Sequence, residues 1–262
     1  MRLVTWNVNS LKARLERVEH WIGTWQPDIV CLQETKLADS AFPAITFQAL
    51  GYDSAHHGQG RWNGVAILSR VGLEDVVAGF GDGDEEDPEP RLLWATCGGV
   101  RVGSVYVPNG RKVGHEQYEY KLGFLDRLRR RLDAHEDMSS PLGICGDFNI
   151  APDDRDVWDP AAFEGATHVS VAERDALARL TEWGLVDLFR TKHDEGDLFS
   201  WWDYRGGNFH KRMGMRIDLV LGTESLAGRL TDIRIDREER KPKGNPAGGA
   251  PSDHAPVIAD FD

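Results

Sequence analysis

Leu142-Gly143-Ile144-Cys145-Gly146-Asp147-Phe148-Asn149 decides how this chain is read. An apolar run suited to a buried strand passes without a break into Gly, Asp and Asn. Polar groups carried into an interior cost free energy unless they are paired. An acid placed where a strand leaves the core therefore points to a site. Asp147 and Asn149 are two apart, which puts both side chains on one face of an extended chain. Gly146 lets another backbone approach closely. The same pattern recurs twice. Ile29-Val30-Cys31-Leu32-Gln33 runs into Glu34-Thr35, and Pro251-Ser252-Asp253-His254 precedes the apolar run Pro256 to Phe261.

Around these motifs the chain divides into short elements. Arg2 to Val8 reads as a buried strand. A helix follows, with Leu11, Leu15, Val18, Ile22 and Trp25 on one stripe and Ser10 as its N-cap. Pro27-Asp28 ends it, and Asp28 to Leu32 is the next strand. Val65 to Leu68, Leu92 to Thr96, Val102 to Val107, Leu142 to Cys145, Ile217 to Leu221, Leu230 to Ile235 and Pro256 to Phe261 read as strands. Glu116 to Leu132 and Val171 to Trp183 read as amphipathic helices. Strands outnumber helices and cluster, which favours two mixed sheets packed face to face with helices outside over a strictly alternating α/β chain. The acidic stretch Gly81 to Pro90 and the basic, Gly- and Pro-rich stretch Arg237 to Gly249 read as loops. Strands flank both, so residues 1–262 are expected to form a single domain.

The 262 residues are 40% hydrophobic and 28% charged, the mix of an ordinary globular protein. No apolar run approaches the roughly 20 residues needed to span a bilayer. The N-terminus lacks the apolar core and cleavage site of a signal peptide. A cytoplasmic protein with no membrane partner is expected. The net charge of −12 argues against a broad basic nucleic-acid surface. It leaves room for a local basic rim beside a carboxylate pocket that takes a divalent cation. Cys31, Cys97 and Cys145 fit neither a disulfide framework nor a zinc pattern, and each reads as a small core residue.

The strand-end residues suit metal-assisted phosphodiester hydrolysis. A hard cation takes one or two carboxylates, with water and substrate phosphate completing its shell. Glu34 fits that role, and the amide of Asn7 could ligate the cation or orient Glu34. Asp147 and Asn149 could hold and deprotonate a water while an amide binds a phosphate oxygen. His254 needs a carboxylate to fix its tautomer. Asp218, opening Asp218-Leu219-Val220-Leu221, is the candidate. The Tyr106 phenol could donate to a phosphate or a leaving oxygen. Trp201-Trp202-Asp203-Tyr204, followed by the basic loop Arg205 to Arg216, suits stacking beside a phosphate track, with at least one of the two Trp residues in the core. His56 to Asn63 is a second loop mixing rings, Gly and Arg. His56 and His57 are adjacent and point apart, which disfavours a zinc site.

The ordered motifs Trp6-Asn7-Val8-Asn9, Leu32-Gln33-Glu34-Thr35-Lys36, Gly146-Asp147-Phe148-Asn149, Trp183-Gly184-Leu185-Val186-Asp187, Phe199-Ser200-Trp201, Arg216-Ile217-Asp218 and Ser252-Asp253-His254 span nearly the whole chain. In them the chain resembles bacterial exonuclease III-type apurinic/apyrimidinic endonucleases of the DNase I-like endonuclease/exonuclease/phosphatase superfamily. The resemblance implies a four-layer α/β/β/α sandwich with one site at the end of two mixed β-sheets. It implies a hydrolase cutting duplex DNA 5′ to abasic sites, with 3′→5′ exonuclease and 3′-phosphatase or phosphodiesterase activity in base excision repair. Mg2+, or alternatively Mn2+, is the implied cofactor.

By the same resemblance, Asn7, Glu34 and Asp253 lie in the metal site. Asp147 activates or aligns the water, Asn149 positions it or the phosphate, and Tyr106 contacts the phosphate. His254, oriented by Asp218, stabilises developing charge. Trp201, Met215 and Ile217 would line the pocket for a flipped abasic sugar. Arg61, Trp62 and the Arg205 to Arg216 loop, Arg216 included, would touch the duplex. The implied substrate is double-stranded DNA with abasic sites or blocked 3′ ends, and the expected state is a monomer. The rival readings are a lipid or inositol phosphatase and a non-catalytic DNA-binding protein.

Overall fold

In strand β1 (Arg2–Asn7) the side chains alternate strictly: Leu3 joins the core between two sheets, whereas Val4 and Trp6 join the core under a helix. That period of two governs the architecture. The computed structural model describes residues 1–241, 246 and 248–262. After β1 come α1 (Leu11–Trp25), β2 (Ile29–Gln33), α2 (Ala44–Ala49), β3 (Asp53–His57), β4 (Val65–Ser69) and β5 (Glu74–Ala78). Next are β6 (Leu92–Cys97), β7 (Val100–Tyr106), α3 (Glu116–His135), β8 (Leu142–Asp147), α4 (Val171–Glu182) and β9 (Leu185–Asp187). The chain closes with α5 (Asn208–Lys211), β10 (Asp218–Thr223), α6 (Glu224–Ala227), β11 (Leu230–Ile235) and β12 (Val257–Phe261).

The strands form two six-stranded sheets, ordered β11-β12-β1-β2-β4-β3 and β5-β6-β7-β8-β10-β9. Each has one parallel pair at its centre, β1 with β2 and β7 with β8, among antiparallel neighbours. Leu3, Ile29, Cys31 and Ile67 from one sheet meet Leu93, Ala95, Cys145 and Val220 from the other. Outside the first sheet, α1 lays Leu11, Val18, Trp21 and Ile22 on Val4, Trp6, Val30 and Leu32. Outside the second, Phe124, Leu125 and Leu128 of α3 and Leu177 and Leu180 of α4 cover Trp94, Ile144, Leu219 and Leu221. The protein is a four-layer α/β/β/α sandwich, as expected. Cys31, Cys97 and Cys145 are buried free thiols between the sheets.

The same alternation carries polar residues to one end of the inner layer. Beyond Leu3, the inward positions of β1 are Thr5 and Asn7. In β8, Cys145 faces inward and so does Asp147; in β10, Val220 and Asp218 share the inward side. Tyr106, Asp147 and Asp218 stand opposite one another in register across β7, β8 and β10. Beneath them, Gln33 bridges the sheets, donating to Ser104 Oγ (3.2 Å) and pairing with Thr5 Oγ1 (3.2 Å). Gly146 is required here, because a Cβ on it would lie 1.8 Å from the Val105 carbonyl oxygen.

Several expectations change. The strand opening at Leu142 continues through Asp147, so the acid is part of the ladder. Ser10 precedes α1 but its side chain caps nothing. The helix start is tied instead by Ser10 N–H to Glu34 O (2.7 Å) and Leu11 N–H to Thr35 O (3.0 Å). Strands β3, β5 and β9 were not expected. They are short edge strands, and the polar, partly exposed Asp-Ser-Ala-His-His of β3 carries no apolar alternation. Gly81 to Pro90 is a loop, pinned where Arg127 holds Asp82 through two bonds of 2.8 Å. Of the expected loop from Arg237, Arg237–Arg240 is a 3₁₀ turn, and residues 242–245 and 247 lie outside the described residues. Among the described residues no helix is long and apolar enough to cross a membrane.

Candidate active site

The strand ends converge on a cavity of about 160 Å³ lined by Glu34, Tyr106, Asn109, Asp147, Asn149, His168, Trp201, Met215, Ile217, Asp253 and His254. Ligand atoms of Glu34, Asp147 and His254 lie within 4.8 Å of one another. At the centre, Asn7 Nδ2 donates to Glu34 Oε1 (2.8 Å) and to Asp147 Oδ2 (2.9 Å). One amide therefore holds two carboxylates side by side. Asp147 Oδ1 accepts from the Asn149 N–H (2.9 Å).

His254 is held from one side by Asp218, with Nδ1 at 2.8 Å from Oδ2, and its Nε2 faces Asp147 Oδ2 at 3.7 Å. Ser200 Oγ fixes the start of β10 by accepting from the N–H groups of Ile217 (3.2 Å) and Asp218 (3.1 Å). Ser252 Oγ ties the His254 segment to β1 by donating to Asn7 O (2.7 Å). Burial disfavours the imidazolium, yet the Asp218 and Asp147 carboxylates outweigh it and hold His254 up at about 10. Burial also raises Asp147, and Asp218 and Glu34 add to this, carrying it up to about 7 against the opposing pull of His254. Burial, with the Glu34 carboxylate beside it, pushes the Tyr106 phenol well above its ordinary value. At neutral pH the cavity thus presents a cationic His254, a protonated Tyr106 and an Asp147 poised to take a proton.

The donor set fits a hard divalent cation. Two carboxylates, Glu34 and Asp147, share one end of the cavity, and their mutual repulsion is one cause of the raised Asp147; a bound cation relieves such repulsion. His254 Nε2 faces the same end of the cavity, and in its charged form the imidazole has no lone pair to offer a cation. The Asn7 side-chain Oδ1 accepts from the Asn9 N–H (2.9 Å) while its NH2 faces the carboxylates. This amide orients Glu34 and Asp147. Asp253 also lines the cavity, its oxygens accepting from Asn9 Nδ2 (2.9 Å) and Trp201 Nε1 (3.1 Å).

Trp201, Met215 and Ile217 form one wall, joined by bridges from Trp201 to Met215 and to His254. Trp202 turns the other way into the core with Phe199 and Phe209. Arg61 and Trp62 lie on an exposed loop bound to the Glu34 turn by Thr35 N–H to Gly64 O (3.1 Å) and Lys36 N–H to Asn63 O (2.9 Å). Arg205 is exposed. Arg216 is not a surface residue. It is fully buried, donating to Asp156 Oδ1 (2.6 Å) and Asp187 Oδ2 (2.7 Å), so the expected contact with the duplex is replaced by an internal ion-pair bridge.

Residues absent from the sequence-derived set complete the site. His56 links Asp39 Oδ1 (2.7 Å) to Thr35 Oγ1 (2.8 Å), bracing the Glu34 turn. Lys36 Nζ pairs with Glu34 Oε2 (2.9 Å). Asn109 donates to Asn149 Oδ1 (3.1 Å), and its place after the Tyr106 strand was a usable signal. His168 had none, since it sits on a connection whose course periodicity does not reveal. Asn9, Ser10, Glu34, Lys36, Asn149 and His168 all have positive φ, a concentration of unfavourable backbone typical of functional sites.

The family model described as Endonuclease/Exonuclease/phosphatase family matches residues 4–254. The chain belongs to that family. It is 36% identical to exodeoxyribonuclease III of Haemophilus influenzae, covering 100% of both proteins. An AP endonuclease structure from Archaeoglobus fulgidus superposes with a TM-score of 0.93 at 37% identity, covering 100% of this chain and 99% of that one. A Neisseria 3′ phosphatase bound to a product DNA hairpin gives 0.92 at 39%, with the same coverage. This family member is a hydrolase of DNA repair, a nuclease of the exodeoxyribonuclease III and AP endonuclease type.

Proposed function

We propose that the chain acts as a monomeric, single-domain, magnesium-dependent phosphodiesterase, with manganese as the alternative metal. It cuts duplex DNA 5′ to abasic sites and clears blocked 3′ ends. The juxtaposition of Glu34, Asp147 and His254 in one cavity carries this reading. When bound at Glu34 with Asp147 in reach, the cation would supply Lewis-acid polarisation of the phosphate and stabilise the leaving 3′-oxygen.

Asp147, fixed by Asn7 and by the Asn149 N–H, takes the proton of the attacking water. The Asn149 side chain gives one amide N–H to Val107 O (3.0 Å), which leaves its other N–H for the water or the phosphate. His254, kept cationic by Asp218, and the protonated Tyr106 donate to the phosphoryl oxygens as negative charge grows. The P–O3′ bond breaks, the water oxygen stays on phosphorus as part of a 5′-phosphate, and the departing 3′-oxygen takes a proton from solvent to become a 3′-hydroxyl. Trp201, Met215 and Ile217 bound the space for the sugar. Exposed Trp62 and Arg61 contact the flanking duplex.

The test uses an abasic duplex, a 3′-recessed duplex and a duplex with a 3′-phosphate, each with magnesium and with chelator. Nicking and 3′ processing that need magnesium are expected. No hydrolysis of any of the three, in magnesium or manganese, would overturn the reading.

A further inference from the structure

One buried ion pair lies directly behind the cavity and takes no part in the hydrolysis described. Lys121 of α3 and Glu173 of α4 are both fully buried, with Nζ 2.5 Å from Glu173 Oε1. A lysine ammonium has three N–H donors and accepts nothing. Here the other two go to main-chain carbonyls: Asn149 O at 2.6 Å and Asn109 O at 3.3 Å. Asn109 and Asn149 are the residues whose side chains line the cavity and bond to each other. Glu173 continues the connection. Its Oε1 also accepts from Thr167 Oγ1 (2.7 Å) and from the N–H of His168 (3.0 Å), a third cavity-lining residue, and its Oε2 accepts from the Ser170 N–H (3.1 Å). The loop after β7, the loop after β8 and the 167–170 segment thus share a single charged centre.

Stability alone does not call for such a pair, since a buried ion pair is often replaceable by apolar residues without loss. Geometry does call for it. Asn149 and His168 have positive φ, at 51° and 78°; asparagine tolerates that region, whereas a histidine keeps it only when its surroundings hold it. Glycine at 110 leaves room for the lysine stem, because a Cβ there would lie 3.2 Å from Lys121 Cδ.

We propose that Lys121, held by Glu173, is a positioning residue for phosphodiester hydrolysis, fixing the main-chain carbonyls of Asn109 and Asn149 and thereby where their side chains stand in the cavity. This rests on the hydrolytic reading above. Its test separates the two. In the unmodified protein, NMR couplings across the hydrogen bonds from Lys121 Nζ to the carbonyl carbons of Asn109 and Asn149 are expected. Their absence overturns the proposal, whether or not any variant folds.

The double variant Lys121→Met, Glu173→Gln leaves no lone buried charge and keeps an oxygen for Thr167 and His168. It should stay folded, melting only a few degrees below the unmodified protein for the lost Ser170 N–H bond, and bind abasic duplex equally well in chelator. Its kcat should fall about 10- to 100-fold, with displaced Asn109 and Asn149 side-chain amide signals. Tyr118→Phe, which removes a 2.6 Å bond to Ser170 Oγ without touching the ammonium, should keep its kcat. An unchanged kcat in the folded double variant, or parallel losses of kcat, affinity and melting temperature, would overturn the positioning role. An unmodified protein that shows the couplings but hydrolyses no DNA would overturn the hydrolytic reading instead.

Discussion

His254 stands between two carboxylates at unequal distances, with Nδ1 2.8 Å from Asp218 Oδ2 and Nε2 3.7 Å from Asp147 Oδ2. The nearer acid fixes the ring and its charge. The farther one is left free for the water. This asymmetry separates their roles although both are buried and aligned across β8 and β10.

Asp218→Asn should therefore act through the charge of His254. Both carboxylates raise His254 to about 10, so its cationic form, and the stability it contributes, is complete below about 6.5 and is lost as pH rises through about 10. Without Asp218 that loss begins at lower pH. The alkaline limb of the kcat–pH profile should move down, and kcat at pH 8 should fall by about 10²- to 10⁴-fold. A profile with its alkaline limb unmoved would refute this linkage.

Asp147→Asn removes the proton acceptor while keeping an oxygen for Asn7. Turnover on an abasic duplex should drop by roughly three orders of magnitude, with DNA affinity in chelator preserved. The variant should melt no lower than the parent at pH 8, because a costly buried carboxylate has gone. Turnover near the parent's in single-cycle kinetics would remove Asp147 from its role.

Metal binding should be linked to pH in a defined direction. Burial raises Asp147 to about 7 in the fold, above the ordinary value near 3.8. The associated stability is present at low pH and is lost as pH climbs from there through about 7. A divalent cation offsets that loss by favouring the ionised form. The rise in melting temperature on adding magnesium should be larger at pH 8 than at pH 5.5, and smaller in Glu34→Gln. Equal increments at both pH values, measured by calorimetry against a chelator control, would contradict it.

Arg216→Met tests the reassignment of Arg216 from DNA contact to internal bridge. It strips a buried guanidinium from Asp156 and Asp187, and a one-sided break of this kind costs about 3–5 kcal/mol. Denaturant titration should show that loss, while the folded fraction binds DNA as before. A normal unfolding midpoint with weakened, salt-sensitive DNA binding would restore the surface role.

Much of the site was legible in the chain because it obeys strand parity. Asn7, Glu34 and Asp147 sit where an apolar run stops, Asp218 and His254 where one is about to start, and Asp147 and Asp218 share the inward side of their strands with Cys145 and Val220. Edge strands β3, β5 and β9 leave little trace in the sequence because one-sided or exposed pairing demands little apolar alternation. Lys121 and Glu173 look like ordinary members of charged helical faces. Only the packing of α3 beside α4 joins them.

By itself the sequence determined the strand ends, their polar terminators and the side of each strand on which those terminators fall, because a period of two is a local property of an extended chain. The tertiary structure alone decided how the Asn7 amide faces, that Arg216 turns inward, and that Asn109 and His168 join the cavity. Those outcomes depend on distances through space between segments up to hundreds of residues apart, and no local pattern encodes which buried charge will meet which partner.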